Sequence, residues 1–569
     1  MESVNYCERE NQKLTPPVAL LVLASVALAV FHGIKGDMSV AFGNSAVSYV
    51  IAALAVIAGA VMTVIAIKNK KYLSAGLSGV QVAVLVCFVV LFGNELRSVS
   101  AITIDYLAST VILITGLMGA IIMWRTGSGL PAMISVLGVD GLVLADNLIL
   151  MYFFWTIITV SSYVLIMKDT DKAADLAARM MEFNAAAGLS FTVGIIVSGV
   201  IFETVEISTL NLIDTVYSDL IAVPAIFIVL AGIIRSMQMP FQRWYDGEHV
   251  TSAGTASLIQ AVTLVNSGML VIIKMAPAMG ISNFAGLMSI SAGAVTFFMA
   301  SLDAITEGNV RKMLADSTSA IMGLALVCAG IGTSESIWAA IMLIIFHTVA
   351  KPLILAGTEY QKLRTDMVMA VIVMMIAPFA IVLLQRESMG SIADTGNILL
   401  IVAICFSGAM AVFYWTRWLG TLISTAVTEG IEPINLKEFN PMKANAWLII
   451  ILVVGLPLVS IYMVVPYMEG LYGGMSAAAN LTDNILGALV ISLGVALAAY
   501  PIYKGIRPQI NNESEDSEDE HGQDVVETMR QSGIVVKVRK ICTIASAAMM
   551  VICVGFVLVN LIGLLGGVL

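Results

Sequence analysis

The stretch IWAAIMLIIFHTVAKPLILAG (337–357) decides the fold class of this 569-residue chain. As a helix it is long enough to cross a hydrocarbon core of about 30 Å. His347 and Lys351 lie four residues apart within it, so their side chains share one helix face. An ionisable group at mid-membrane costs about 2.5 kcal/mol or more, and such groups usually face a wet cavity or a partner. The pair therefore predicts an ion pathway inside a membrane helix.

The composition of the whole chain is that of a membrane protein. Hydrophobic residues make up 59% and charged residues only 12%, whereas soluble domains carry about 25% charged residues. Windows of about 19 residues give about seventeen apolar spans. They lie near 17–34, 46–67, 73–93, 101–124, 128–145, 147–167, 182–202, 219–238, 254–275, 283–302, 316–332, 337–358, 366–385, 397–421, 446–467, 480–503 and 541–567. We therefore predict an all-α, polytopic membrane protein embedded in the lipid bilayer.

The basic residues beside the spans predict the orientation, because Lys and Arg favour cytoplasmic loops. If the N-terminus lies inside, most basic residues fall on the cytoplasmic side, and few, among them Lys35 and Arg97, fall on the other. The predicted location is the plasma membrane, with the N-terminus in the cytoplasm and the C-terminus outside.

The loop 504–540 is the one stretch with the composition of a soluble segment. Its segment NESEDSEDEHGQDVVE (512–527) carries eight carboxylates, which account for most of the net charge of −10. A run of like charges favours a solvated, disordered linker. A docking segment for a basic partner is the alternative.

A group of short motifs carries a resemblance to a known family. The motifs are LVLADNLILMYFFW (142–155), RSMQMPFQRW (235–244), SLIQAVTLVNSG (257–268), VRKMLADST (310–318), FHTVAK (346–351) and AVFYWTRW (411–418). In this order they resemble helix motifs of the antiporter-like membrane subunits of respiratory complex I. The same family includes subunits of Mrp cation/proton antiporters and of energy-converting membrane-bound hydrogenases. The resemblance covers about 46–467.

The resemblance implies a core of about fourteen helices with two inverted five-helix repeats, each containing a broken helix. Pro240 and Pro378 fall where the breaks are expected, since proline removes a backbone donor. The predicted division of the chain is an additional N-terminal helix in 1–45, the antiporter-like core in 46–467, and a C-terminal extension in 468–569. This extension carries two further helices and the acidic loop 504–540.

Several positions depart from the family's pattern. The glutamate that follows the tryptophan of the family's fifth helix is Thr156 here. The lysine of the seventh helix is Arg235, and the lysine of the twelfth is most nearly matched by Arg386, which Glu387 follows. The histidine of the eighth helix is Gln260. Of the titratable pattern, only His347 and Lys351 are unchanged.

Lysine and arginine predict different roles at these positions. A desolvated ammonium group can release its proton, whereas a guanidinium group stays charged. Lys351 is therefore the predicted proton-exchanging residue, and His347 is either its relay or a neutral packing histidine. Arg235 is predicted to stabilise an anion or a water chain. Asp140 is either its acidic partner from a neighbouring helix or a hydrogen-bonded structural aspartate.

Two further charged residues lie near span ends. Asp105 is predicted to cap a helix at the membrane interface. Lys274, beside Pro277, is predicted to extend to the interface, as long basic side chains near helix ends do.

The resemblance implies a subunit that moves protons, or Na⁺ against H⁺, within a multisubunit, redox-driven membrane complex. A ferredoxin-linked energy-converting hydrogenase or a complex I relative fits best. The predicted pathway residues are Lys351, His347, Arg235, Asp140, Arg386 and Glu387. The alternatives are a non-pumping membrane scaffold of such a complex and an Mrp-type secondary cation/proton antiporter subunit.

The chain itself is predicted to hold no cofactor or metal. Its six cysteines show no C-x-x-C spacing and indicate packing. Electron transfer is therefore assigned to peripheral redox subunits, which with other membrane subunits are the expected partners. No nucleic-acid partner is expected.

Overall fold

A computed structural model describes most of the N-terminal two thirds of the chain and parts of the remainder. The described segments are 15–40, 45–92, 101–170, 173–245, 251–279, 284–307, 309–358, 456–472 and 533–568, with shorter pieces between 363 and 451. Eleven helices in these segments are long and apolar enough to cross a membrane. The prediction of an all-α, polytopic membrane protein is confirmed.

The helices of the described segments are numbered in chain order. Helices α1 to α8 are Pro16–Lys35, Ser45–Lys68, Tyr72–Phe92, Tyr106–Thr126, Leu130–Leu144, Leu148–Asp169, Ala174–Phe202 and Ile207–Arg235. Helices α9 to α13 are Ala253–Ser257, Leu264–Met275, Phe284–Thr306, Val310–Ile331 and Ser334–Gly357. Helices α14 to α16 are Leu456–Val459, Val465–Tyr472 and Gly533–Val568.

Short strands and single turns complete the described structure. Strand β1 (Met38–Val40) pairs antiparallel with β2 (Ile102–Ile104), and β3 (Leu363–Arg364) pairs parallel with β4 (Ile431–Glu432). Single 3₁₀ turns span Gln242–Tyr245 and Ala276–Ala278, and π-helical turns span Leu258–Val262 and Ser460–Val464.

Helices occupy the predicted spans as far as the described residues allow a comparison. Each span from 17–34 to 337–358 overlaps a helix, and 541–567 lies within α16, which begins earlier, at Gly533. The spans 366–385 and 480–503 and most of the acidic loop lie outside the described residues. The total number of helices and the inverted repeats remain predictions.

Polar residues at the helix starts explain several of these boundaries. Asp105 caps α4 by accepting from Ala108 N at 2.7 Å, which confirms its predicted role. Asn147 caps α6 by accepting from Ile149 N at 2.9 Å, and Asn309 caps α12 in the same way. Such caps satisfy backbone donors that the first helical turn leaves open.

The chain leaves helical geometry after Arg235, near the predicted break at Pro240. Residues 236–241 are not helical. Neighbouring groups satisfy the freed backbone there: Met239 N donates to Thr296 Oγ1 at 2.8 Å, and the Trp244 indole donates to Ile234 O at 3.0 Å. Irregular backbone at membrane depth is tolerated where protein surrounds it in this way. Pro378 lies outside the described residues.

A second interruption was not predicted. The span 254–275 consists of α9, the π-helical turn and α10, with a kink at Thr263 (φ −116, ψ −86). Thr263 Oγ1 donates to Leu258 O at 2.8 Å and so satisfies one carbonyl at the kink.

Two helical segments with buried polar residues lie deepest in the described core. The apolar windows of Ala253–Ala278 and Ser334–Gly357 are entirely buried, whereas α1 and α3 are mostly exposed. Helices α11 and α12 approach closely beside them: a Cβ on Gly293 would lie 2.5 Å from Gly323 O, and one on Gly323 would lie 2.8 Å from Gly293 O. Larger residues at these two glycines would push α12 out of its place.

The C-terminal helix α16 packs against α8 and α11. Arg539 forms an ion pair with Asp303 of α11. Ser546 Oγ donates to Met239 O at 3.1 Å, within the interruption that follows α8. A helix from the predicted extension therefore helps to satisfy the broken backbone of the core.

Candidate functional site

Lys351 and His347 lie at the centre of the described core. Their side chains are 0% and 1% exposed on α13. The Lys351 ammonium donates to Leu314 O and, at 2.6 Å, to Ser317 Oγ, both on α12. Its nitrogen also lies 5.9 Å from the centre of the Trp415 ring. Polar groups of α12 and the face of Trp415 therefore hold the lysine.

A hydroxyl group links His347 to the interrupted helix. Thr318 Oγ1 lies 3.3 Å from His347 Nε2 and 3.2 Å from Gln260 Oε1. Thr318 is adjacent in sequence to Ser317, which accepts from Lys351. The buried polar line therefore runs from the π-helical turn through α12 to α13, and we call Gln260, Ser317, Thr318, His347 and Lys351 the lysine cluster.

The surroundings of the lysine cluster are polar enough to hold water. Buried polar atoms of the described residues that make no hydrogen bond include His347 Nδ1, Gln260 Nε2, Asn266 Oδ1, Gln238 Oε1 and Ser319 Oγ. Buried polar groups nearly always have a partner, and buried water commonly supplies it. Asn266 also donates to Thr348 Oγ1 at 2.7 Å, which extends the polar line along α13.

Arg235 occupies a separate position at the end of α8. Its side chain is 0% exposed. Nη2 donates to Trp155 O at 3.0 Å and to Thr159 Oγ1 at 2.9 Å, and Cζ lies 3.8 Å from the centre of the Trp155 ring. Nε and Nη1 have no hydrogen-bond partner among the described residues. We call Arg235, Trp155 and Thr159 the arginine cluster.

The arginine cluster contains no carboxylate. Thr156, at the family's glutamate position, donates to Tyr152 O of its own helix at 2.9 Å. Asp140 accepts from Thr115 Oγ1 at 2.9 Å, and the described residues include no ion pair between Asp140 and Arg235. This hydrogen bond agrees with the second alternative, a hydrogen-bonded structural aspartate, and the role of Asp140 stays a prediction.

The other predicted pathway residues cannot be placed beside these clusters. Arg386 and Glu387 lie outside the described residues. Whether any of the six predicted residues carries protons remains a prediction.

Lys274 does not extend to the membrane interface, so that prediction was wrong. Its side chain is only 6% exposed, and its ammonium donates to Val143 O and, at 2.7 Å, to Ala145 O. The carbonyls at the end of α5 provide a nearer partner for the charge than water does. Burial raises the pKa of the Asp105 carboxyl, and the positive charge of Lys274 opposes this rise.

Sequence reasoning missed several residues that build the two clusters. Ser317 and Thr318 end the motif VRKMLADST, but hydroxyl residues in membrane helices usually bond to their own backbone and give no separate signal. Trp155 and Thr159 lie one turn apart on α6, a spacing that places them on one face. That spacing was the available signal for a partner of Arg235.

The comparisons with known proteins agree with the motifs. Residues 145–382 match the family described as NADH:quinone oxidoreductase/Mrp antiporter, transmembrane. "Na(+)/H(+) antiporter subunit A1" of Staphylococcus saprophyticus is 29% identical over 196 residues, which are 34% of this chain and 24% of that protein. "Putative antiporter subunit mnhA2" of Staphylococcus aureus (strain MSSA476) matches with the same identity and coverage. The match spans about a quarter of the length of these relatives.

Solved structures share the fold at low sequence identity. A chain of the Mrp complex from Dietzia sp. DQ12-45-1b has a TM-score of 0.54 at 18% identity, covering 87% of this chain and 60% of that one. A chain of the archaeal membrane-bound sulfane sulfur reductase has a TM-score of 0.55 at 16% identity, covering 77% and 99%. A chain of respiratory complex I from Thermus thermophilus has a TM-score of 0.50 at 14% identity, covering 75% and 100%.

The motifs, the family match and the shared fold lead to one conclusion. This chain is a multi-pass membrane protein whose residues 145–382 match the NADH:quinone oxidoreductase/Mrp antiporter family, and it shares its fold with antiporter-like chains of membrane complexes.

Proposed function

We propose that this chain is an antiporter-like subunit that moves protons, or Na⁺ against H⁺, across the membrane within a multisubunit, redox-driven complex. The lysine cluster is the observation that carries the proposal. Lys351 is fully buried and donates to the Ser317 hydroxyl of α12, and the adjacent Thr318 hydroxyl lies against His347. Alternating donors and acceptors in a buried line are what proton transfer through a membrane requires.

Lys351 is the exchanging group in this proposal. A buried ammonium group is destabilised by desolvation and can release its proton to a neighbouring acceptor. Thr318 and Ser317 present hydroxyl groups, which both donate and accept. His347, in contact with Thr318, passes the proton toward Gln260 or receives it from there.

We also propose which type of complex contains this subunit. We infer a ferredoxin-linked energy-converting hydrogenase or a complex I relative, whose peripheral subunits carry out the electron transfer. The fold shared with chains of the sulfane sulfur reductase and of complex I supports a redox-driven assembly. Copurification in mild detergent tests this step, because hydrogenase, quinone-reductase and Mrp partners differ in their subunits and cofactors.

Two other functions have observations in their favour. The arginine cluster lacks the carboxylate and lysine of the family's pattern, which favours a scaffold that organises its complex without pumping. The relatives named as antiporter subunits favour an Mrp-type secondary antiporter, which an ion gradient alone drives. Sensitivity of transport to the electron donor separates the redox-driven proposal from the secondary antiporter.

The variant Lys351→Ala tests whether the lysine cluster is needed for transport. The complex is purified, reconstituted in vesicles and supplied with its electron donor, and proton uptake is followed with a pH-sensitive dye. We expect Lys351→Ala to abolish uptake while the complex still assembles. Lys68→Ala, at an exposed lysine that ends α2, is the matched control and should pump as the unmodified protein does. Normal uptake by Lys351→Ala would favour the scaffold or another pathway.

A further inference from the structure

We propose that the arginine cluster binds a small monovalent inorganic anion, of the size of chloride, as the counter-charge of Arg235. This inference goes beyond ion translocation and does not depend on it. It rests on the burial of Arg235, on the partners its guanidinium has, and on the chemistry of the donors that remain.

The charge of Arg235 needs compensation from outside the described side chains. The guanidinium is 0% exposed and lies in a membrane-embedded core. Arginine keeps its proton in proteins, so the site cannot become neutral by deprotonation. A buried charge without a counter-charge is strongly unfavourable. Among the described residues Arg235 forms no ion pair, and Asp140 instead accepts from Thr115.

The side-chain atoms left over at this site are donors. Nη2 makes both hydrogen bonds of the guanidinium, whereas Nε and Nη1 make none with the described residues. The Trp155 indole Nε1 also lacks a partner, although Trp155 is only 1% exposed. Guanidinium and indole N–H groups cannot accept hydrogen bonds. The missing partner is therefore an acceptor.

The geometry places these donors near one another. The Arg235 Cζ lies 3.8 Å from the centre of the Trp155 ring, and Nε1 belongs to that ring. A single atom in contact with the edge of the guanidinium is therefore within reach of the indole edge. Thr159 Oγ1 accepts from Nη2 and donates to Trp155 O at 3.1 Å. Thr159 therefore has no hydroxyl proton left to donate to a ligand.

An anion fits this donor set better than water alone. Water would accept from the N–H groups but would leave the positive charge uncompensated in a medium of low dielectric constant. A monovalent anion accepts from the same donors and neutralises the guanidinium. Charge-assisted hydrogen bonds from arginine are also the stronger kind. The proposed ion is small because the Trp155 ring, Trp155 O and Thr159 Oγ1 already contact the guanidinium and leave only Nε and Nη1 open to it.

A halide titration of the whole complex tests the proposal. The complex is placed in lipid nanodiscs without electron donor or ion gradient, so the result is independent of translocation. Sodium bromide is titrated against sodium gluconate at constant ionic strength, and the melting temperature of this chain is recorded. We expect a saturable rise with bromide in the unmodified protein and none in Arg235→Met. Arg179→Met, which removes an exposed arginine of α7, is the matched control and should titrate as the unmodified protein does.

A second variant keeps the test decisive if Arg235→Met does not fold. Trp155→Phe retains the aromatic face under the guanidinium but removes the indole N–H. We expect its bromide affinity to be about tenfold weaker, because one hydrogen bond to a charged ligand is lost. Bromide located by anomalous scattering should lie against Arg235. Equal behaviour in bromide and gluconate, or an unchanged titration in Arg235→Met, would overturn the proposal.

Discussion

The lysine cluster and the arginine cluster both hold a fully buried cation, but they surround it differently. Lys351 is held by a carbonyl and a hydroxyl group of α12, next to a histidine and two further polar groups. Arg235 is held by one carbonyl and one hydroxyl group of α6 and by the face of a tryptophan. The first cation lies beside hydroxyl groups and an imidazole, and the second lies against an aromatic ring.

Two buried cations in such different surroundings suit two different roles. A group that exchanges protons needs neighbours that can take the proton, and the lysine cluster supplies hydroxyl groups and an imidazole. A group that keeps its proton sets a fixed electrostatic potential and needs a counter-charge instead. We therefore propose that protons move through the lysine cluster and that the arginine cluster sets a fixed field.

A reciprocal exchange of the two cations should give the largest contrast. Lys351→Arg keeps the charge but loses the exchangeable proton, so we expect proton uptake by reconstituted vesicles to fall about 100-fold. Arg235→Lys keeps the charge and loses part of the contact with Trp155, so we expect a fall of about threefold. Equal losses in the two variants would remove the distinction between the clusters.

Cutting the polar line should have the next largest effect. Thr318→Val keeps the shape of the side chain but leaves His347 and Gln260 without their common partner, and we expect proton uptake to fall about tenfold. Thr110→Val is the matched control, because the hydroxyl of Thr110 donates to Tyr106 O of its own helix at 2.6 Å. If both variants pump alike, the bridge at Thr318 has no part in transport.

A carboxylate placed beside the arginine cluster should change its dependence on anions. Thr156 precedes Thr159 by three residues and therefore lies on a neighbouring part of the same face of α6. In Thr156→Glu the new carboxylate supplies the counter-charge, so we expect the rise in melting temperature with bromide to shrink at least about threefold. A bromide titration that remains unchanged in this variant would count against the anion as the counter-charge.

The smallest effect is expected at Asp140. In Asp140→Asn the hydrogen bond with Thr115 can persist, so we expect the free energy of unfolding to change by about 1 kcal/mol and proton uptake by less than about twofold. Vesicle uptake and chemical denaturation measure the two quantities. A large loss of uptake would return Asp140 to the pathway and would show that the two clusters are coupled through it.

The parts of the fold that were predicted correctly depend on residues close together in the sequence. The apolar spans up to 337–358, the interruption near Pro240 and the cap at Asp105 each depend on neighbouring residues along one helix. The prediction failed at Lys274 because its partners, Val143 and Ala145, come from a distant part of the chain. The kink at Thr263 was missed because SLIQAVTLVNSG (257–268) contains no proline to mark an interruption.

Length and hydropathy along the chain are enough to predict a protein solvated by lipid, the helices of the described segments, and the place of Lys351 inside one of them. They are enough because unpaired backbone groups in lipid are too costly for other structures. The packing of the helices was needed to show that Thr318 joins His347 to Gln260, and that Arg235 meets Trp155 instead of Asp140. These contacts depend on how each helix is rotated toward its neighbours, and packing between distant segments sets that rotation.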